Sequence, residues 1–325
     1  TQTPDEGENS FTDIFGEVSI PLVSGASWAE ELTVTLGYRA SRSEFTDLID
    51  DVSSDPRWDD AYKAELIWAP TPDINLRGSY QRSVRAPNFG ELFSGGGSAP
   101  QIFDPCSVTS EFRQGGGANA RELCRTAGGG IGSVDTYVQS PGGQASVTLA
   151  GNRNLGPETA DTYTAGLAFS NGLGFIPGLS GSVDFYKIDI SDTIQSPDPN
   201  TLIADCYNYY GNNPNLSATY PVCQQLVRFG TDILFINGPG GSSTYPGVNG
   251  GILSTEGIDF QLGYGFEPGF TANDRLSLNL FVNYLLSFEQ QVLQNQPVID
   301  YAGTVSFFGA RLGTSFPEWR AHLTA

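Results

Sequence analysis

The stretch LSLNLFVNYLLSFEQ, which begins at Leu276, constrains the chain most. Leu276, Leu278, Leu280, Val282, Tyr284, Leu286 and Phe288 alternate with Ser277, Asn279, Phe281, Asn283, Leu285 and Ser287. Successive side chains of a strand point to opposite sides, so a period of two marks an extended segment with one apolar face. An apolar row this long has two uses. It packs against a second protein layer, or it crosses hydrocarbon as a tilted strand, for which roughly 9–11 residues suffice.

The pattern recurs. ELTVTLGYRASR sets Leu32, Val34, Leu36 and Tyr38 against Thr33, Thr35, Gly37 and Arg39. DAYKAELIWAP sets Tyr62, Ala64, Leu66 and Trp68 against Lys63, Glu65 and Ile67. INLRGSYQRSV, DTYTAGLAFS and GIDFQLGYGF do the same with Ile74, Leu76 and Tyr80, with Tyr163, Leu167 and Phe169, and with Ile258, Phe260, Leu262 and Tyr264. Residues 12–23 alternate more weakly through Ile14, Val18, Ile20 and Leu22. In 180–194 the phase switches near Tyr186, where a bulge is expected. Residues 300–313 are mixed and 318–325 begin a further strand, so ten strands and no long helix are expected.

The connections sort by length. Short ones are expected near 24–30, 69–73, 172–178, 267–274 and 314–318, and long ones at 46–58, 89–157, 195–250 and 290–299. Up-and-down membrane barrels have this asymmetry, with short turns at one end and long loops at the other. The polar faces are Ser, Thr, Asn, Gly and Gln with few charges, as expected for a shared lumen or a plugged interior. Tyr38, Trp68, Tyr80, Tyr163, Tyr264 and Tyr284 sit near the ends of apolar rows, where interfacial girdles use amphipathic rings. The expected fold class is all-β: a transmembrane antiparallel up-and-down β-barrel. Closure is obligatory, because an unpaired backbone edge in lipid costs several kcal/mol per group.

Composition removes other classes. Acidic residues outnumber basic ones by 36 to 16, a formal charge of -20. Phosphate backbones are held by Lys and Arg, so no nucleic-acid partner is expected. The glycine clusters lack a strand–Gly–helix context and a following Lys-Ser/Thr, which excludes a phosphate loop. There is no G-x-S-x-G and a single histidine, His322, so neither a catalytic triad nor an enzyme is expected. No metal-ligand cluster stands out and no cofactor is implied. The start of the chain has no apolar core of a signal peptide and the sequence has no Met, which reads as a processed or partial chain. The four cysteines fall as Cys106/Cys124 and Cys206/Cys223 inside Gly/Asn/Ser/Pro-rich stretches, which fits two loop-stapling disulfides in an oxidising compartment. Zinc is the rival reading, opposed by the lack of any CxxC.

Residues 62–93 carry WAP, then LRGSY, then RAPNFGELF. These resemble the barrel of TonB-dependent outer-membrane receptors at Trp68 and Pro70, at Leu76, Arg77, Ser79 and Tyr80, and at Arg85, Ala86, Pro87, Glu91, Leu92 and Phe93. NLGPETADTYTAGL matches a second family block at Asn154, Leu155, Pro157, Glu158 and Gly166; VDFYKIDISDTI and NGGILSTEGIDFQLGY resemble the next two. The resemblance covers roughly residues 12–325. It implies that residues 1–325 are about ten strands of a 22-stranded barrel, with long extracellular loops at 89–157 and 195–250, and that the plug domain lies outside this chain. It also implies an outer-membrane location in a Gram-negative bacterium. The function it implies is capture of a scarce solute (siderophore, cobalamin, oligosaccharide or similar) and import with energy from the TonB–ExbB–ExbD complex. Expected partners are therefore that complex, outer-membrane lipid and lipopolysaccharide, and the solute. A passive porin, an outer-membrane enzyme and a secreted adhesive β-protein are the rivals.

Among the motif residues, Pro70 and Pro72 belong at a turn, because they cannot donate to a ladder. Arg77 and Arg85 share the inward face, where Glu65 or the plug is an expected partner. Pro87 and Glu91 are expected to be architectural. The ligand candidates lie in CYNYYGNNPN, where Tyr207, Tyr209 and Tyr210 stand among Asn208, Asn212, Asn213 and Asn215. Tyr and Asn suit stacking on, and hydrogen bonding to, a polar ligand, and the Cys206–Cys223 bridge would lower the ordering cost of binding. Residues 114–133 and 237–251 read as mobile or unstructured loop tips. The acidic surplus favours a neutral or cationic ligand.

Overall fold

A computed structural model describes residues 6–94, 97–101, 104–139, 145–195, 199–229, 233–236, 245–270, 274–292, 294, 296–306 and 314–325. Its frame is one antiparallel sheet of nine long strands in sequence order. They are β1 Gly7–Ala26, β2 Ala29–Asp47, β3 Arg57–Thr71, β4 Ile74–Arg85, β5 Glu158–Phe169, β6 Leu179–Gln195, β7 Val248–Phe266, β8 Leu276–Gln291 and β9 Trp319–Thr324. Each pairs only with its neighbours in sequence, apart from two two-residue additions at Val52–Ser53 and Ile299–Asp300.

Register turns nine separate alternations into one surface. Val23, Leu32, Trp68, Leu76, Leu167, Val183, Phe260, Val282 and Ala321 face one another strand to strand across the whole sheet, with no polar member. The row one residue along reads Pro21, Thr33, Ile67, Arg77, Gly166, Asp184, Asp259, Asn283 and Arg320. No layer of described residues covers the apolar face: Leu36, Leu66, Leu167 and Leu262 are 44%, 46%, 39% and 42% exposed.

The tyrosines bound this face. Tyr38 pairs with Tyr62 and Tyr80 with Tyr163, and Tyr62 and Tyr80 have ring centroids 6.0 Å apart. The hydroxyls point away from the apolar rows: Tyr38 donates to Asp60 at 2.6 Å and Tyr80 to Asp161 at 2.7 Å. At the other end the Trp68 indole donates to the Trp28 carbonyl at 3.3 Å, and Pro70 falls in a ladder irregularity between Trp68 and Thr71, where its missing N–H is harmless.

Three expectations change. The ladder is regular on both sides of Tyr186; instead Lys187 and Asp189 take the tyrosine-bounded face beyond the tyrosines, and Ile188 and Ile190 turn to the other. The phase switch thus marks the strand leaving the apolar band. A register shift in 180–194 falls instead at Asp192, which is skipped between Ser191 and Thr193 and lies in the left-handed region, beyond the phase switch. The bulge that interrupts an apolar row lies on β8, where Gly257 faces Leu285 but Glu256 faces Ser287. Skipping one residue reverses the faces, so Phe288 leaves the apolar row and stacks on Phe316 with centroids 4.4 Å apart. The uninterrupted row is therefore Leu276–Tyr284. Finally, residues 300–313 do not insert a strand: β8 pairs directly with β9, and the described part of 299–316 gives Ile299–Asp300 and a small Thr304–Ser306/Thr314–Phe316 ladder. Residues 307–313 lie outside the described residues. All four long connections then leave one end of the sheet, and the short ones close the other.

Candidate functional site

The long-connection end is organised around Arg85, the last residue of β4. Its terminal nitrogens each donate to Glu91 at 3.1 Å, and Nε donates to Glu158 at 2.6 Å. Glu158 in turn accepts the Ile194 amide at 2.7 Å. Glu91 belongs to helix α1, Phe89–Phe93, and closes a capping box with Asn88, which sits one residue after Pro87. One guanidinium therefore ties together β4, α1, β5 and β6 through Glu91 and Glu158, with Pro87 preceding the cap residue and Pro157 preceding Glu158 in the chain. Phe93 lies 6.0 Å below the Arg153 guanidinium, which is paired with Asp47 and Asp50. Replacing Arg85 with Ala leaves two largely covered carboxylates unpaired. We expect a loss of about 1–2 kcal/mol at this corner, kept low because Arg85 is itself half exposed and screened. Faster hydrogen exchange at the Ile194 amide is the readout; unchanged exchange would show that the corner does not depend on Arg85.

Arg77 pairs with Asp184 at 2.7 Å, not with Glu65. The pair spans two ladders over Gly166, which faces both residues. A Cβ at Gly166 would fall on the Asp184 carboxylate, so glycine is what lets the ion pair lie across β5. With Tyr186, Asp259, Phe281, Asn283, Arg320 and His322 it lines a concavity of about 740 Å³ on the polar face.

Above the sheet, the connections 86–157 and 196–247 share one core. Helices α2 Glu111–Gly115, α3 Gly117–Thr126 and α4 Pro199–Cys206 enclose Leu123, Ile131, Val134, Tyr137, Leu202, Ile203, Tyr207 and Leu226 with all four half-cystines. Both expected disulfides are present, Cys106–Cys124 and Cys206–Cys223. Residues 114–133, read as a loose tip, are thus largely a folded helix and turn. The signal was legible as Ala120, Leu123, Cys124 and Ala127 at helical spacing, obscured by the glycines around them. Residues 237–244 of the other expected tip lie outside the described residues.

The six ligand candidates divide. Tyr207 is 2% exposed, packs edge-on against Phe112 at 5.0 Å, and its hydroxyl donates to the Cys106 sulfur at 3.1 Å. Asn213 is buried too, its amide donating to the carbonyls of Cys206 and Ser217. These two are core members, which corrects the expectation of ligand contact for them. Asn208, in the left-handed region at φ 62°, accepts the Asn213 amide N–H, and Asn212 donates to Asp205 at 2.7 Å. Tyr209 is half exposed and stacks on Phe112 at 6.4 Å, while Tyr210 is partly exposed. Burial, and next the charge of Glu111, push the Tyr209 phenol up from its ordinary value, so it stays a hydrogen-bond donor. Sequence reasoning missed Phe112, whose ring joins the two connections.

A family model described as TonB dependent receptor-like, beta-barrel, matches residues 1–325. No protein with a curated description matches the chain by sequence. Among solved structures, it is similar to the siderophore receptor PirA from Pseudomonas aeruginosa (13% identity, TM-score 0.40, covering 88% of this chain and 45% of that one). It is also similar to the FrpB iron transporter from Neisseria meningitidis (10%, 0.45, 90% and 28%) and the ferric enterobactin receptor from Pseudomonas aeruginosa (16%, 0.42, 86% and 36%). The chain spans less than half the length of each of these. Since the family match runs from the first residue to the last, the protein belongs to the TonB-dependent receptors and supplies part of their β-barrel.

Proposed function

We propose that this chain is part of the wall and external cap of an outer-membrane receptor that captures a small solute and imports it with energy relayed by the TonB–ExbB–ExbD complex. The observation that carries the reading is the apolar row that crosses all nine strands with no covering layer among the described residues, backed by a mainly polar row that holds Thr33, Arg77, Asp184, Asp259, Asn283 and Arg320. Lipid is the medium that accepts such a face. The long connections then face outward from the cell, and their shared core supplies a rigid surface for first contact with the solute. The polar face looks into the lumen, where the plug of the whole receptor would meet the Arg77–Asp184 region.

The test uses the full receptor chain expressed in a Gram-negative host. It should fractionate with the outer membrane, require detergent for extraction and migrate faster on a gel before boiling than after. Uptake should stop when the proton gradient is collapsed. Extraction by salt or buffer alone would overturn the membrane assignment; uptake that survives loss of the gradient would make the protein a passive pore.

A further inference from the structure

A second cavity, of about 540 Å³, opens where the two family motifs meet the connection between β2 and β3. Its volume lies within the range of small-molecule sites. Phe45 and Leu92, both buried, and Phe93 form an apolar floor, and Arg57 and Asn154 stand at the rim. The cavity contains two guanidinium groups in different states. Arg153 is held by Asp47 and Asp50 over the Phe93 ring. Arg57 donates from Nε alone, to Asp59 at 2.8 Å, and among the described residues its two terminal nitrogens have no protein acceptor. Asp59 is nearly covered while Arg57 is 59% exposed. The covered carboxylate thus orients the guanidinium and leaves its two-pronged edge open.

We infer that this cavity is a binding subsite for a small carboxylate-bearing solute with an apolar or aromatic body, with Arg57 as the anion-binding arm. The inference rests on the receptor reading and specifies a ligand class for it. A planar guanidinium edge matches a carboxylate through two parallel charge-assisted hydrogen bonds. The floor accepts the body of the ligand, and Asn154 supplies an amide for a further polar group. The chain is acidic as a whole, and Asp55 and Asp59 also line this cavity; Asp59 is engaged by Arg57 Nε, and the two open terminal nitrogens of Arg57 offer a carboxylate direct charge-assisted hydrogen bonds.

The probe is 4-fluorobenzoate, with neutral 4-fluorobenzamide as its isostere, titrated into the full receptor in detergent and followed by fluorine NMR. Wild-type protein should bind the carboxylate about tenfold more tightly than the amide, and Arg57→Gln should erase that preference. Asp59→Asn keeps an oxygen that accepts from Arg57 Nε, and so the orientation, while it removes a negative charge beside the bound carboxylate; binding should tighten by about threefold, a gain that misfolding cannot produce. Equal binding of the two probes by the wild type, an unchanged preference in Arg57→Gln, or weaker carboxylate binding in Asp59→Asn would each overturn the subsite. If the wild type requires detergent and shifts on boiling yet shows no preference, only the subsite fails. If it does neither, the receptor reading fails with it.

Discussion

Replacing Leu262 with Arg should destabilise the barrel and lower the fraction that folds, whereas Gln261→Arg should leave it nearly unchanged. The two residues are neighbours on β7, but Leu262 sits opposite Leu280 and Gly181 on the apolar face and Gln261 opposite Phe281 and Ser182 on the other. An arginine facing lipid near the middle of a spanning strand costs about 2–4 kcal/mol. That is a large part of the roughly 5–15 kcal/mol by which folded domains are stable. On the polar face the same side chain meets a surface that already holds Arg77, Asp184 and Asp259, and a cost of about 1 kcal/mol or less is expected. The measurement is the fraction of receptor that migrates as a compact band before boiling, with urea unfolding in lipid vesicles to size the loss. Equal effects at 261 and 262 would mean that the two faces meet similar surroundings.

The second large effect concerns the cap. Changing Cys206 and Cys223 to Ser should open both long connections, although the bridge closes only one of them. The bridges join residues 17 and 18 positions apart, and closing a loop of that size contributes roughly 3 kcal/mol. All four half-cystines are fully buried in the core that also holds Tyr207, Leu123 and Ile131. Loosening the Cys206 side therefore removes the neighbours of Phe112 and α3 on the other connection. Arg121 and Arg125 are half-exposed tryptic sites on α3 and should become cleavable in the double variant and in reduced wild-type protein. None of the cysteines lies on a long strand, so migration of the unboiled band should not change. Continued protection of α3 would show that the two connections fold independently.

How much of this was legible in the sequence depended on whether a rule of period two applied. It applied within the apolar band, so Leu32–Tyr38, Tyr62–Trp68, Ile74–Tyr80 and Ile258–Tyr264 announced their faces directly. It gave out beyond the tyrosines, where both sides of a strand meet water and neither is obliged to be apolar. The change at Tyr186 is visible in the sequence but suggests a bulge, because a single strand does not reveal where the band ends. The bulge on β8 is hidden in Leu285–Leu286, since two leucines in a row look the same on either face. The Arg77–Asp184 pair joins residues 107 positions apart and depends on the register of three strands and on Gly166 between them. No local pattern encodes such a contact. The motif residues Arg85, Glu91 and Glu158 were picked out by resemblance, and their roles became clear only when one guanidinium was found to hold both carboxylates. Within CYNYYGNNPN, composition suggests a ligand, yet Tyr207 fills the core against Phe112 and Asn213 satisfies the carbonyls of Cys206 and Ser217.

The most direct test of the account places single nitroxide labels at positions 258 to 264 of β7 in the full receptor, reconstituted in lipid vesicles. The four cysteines of this chain are all paired, and any free cysteine elsewhere in the receptor is first changed to serine, so that the introduced thiol is the one labelled. Relaxation by oxygen, which partitions into acyl chains, is compared with relaxation by a water-soluble nickel chelate. Labels at 258, 260, 262 and 264 should be relaxed by oxygen and shielded from nickel, and those at 259, 261 and 263 should not. A flat profile, or shielding from both reagents at the even positions, would place the apolar rows against protein and contradict the assignment to membrane.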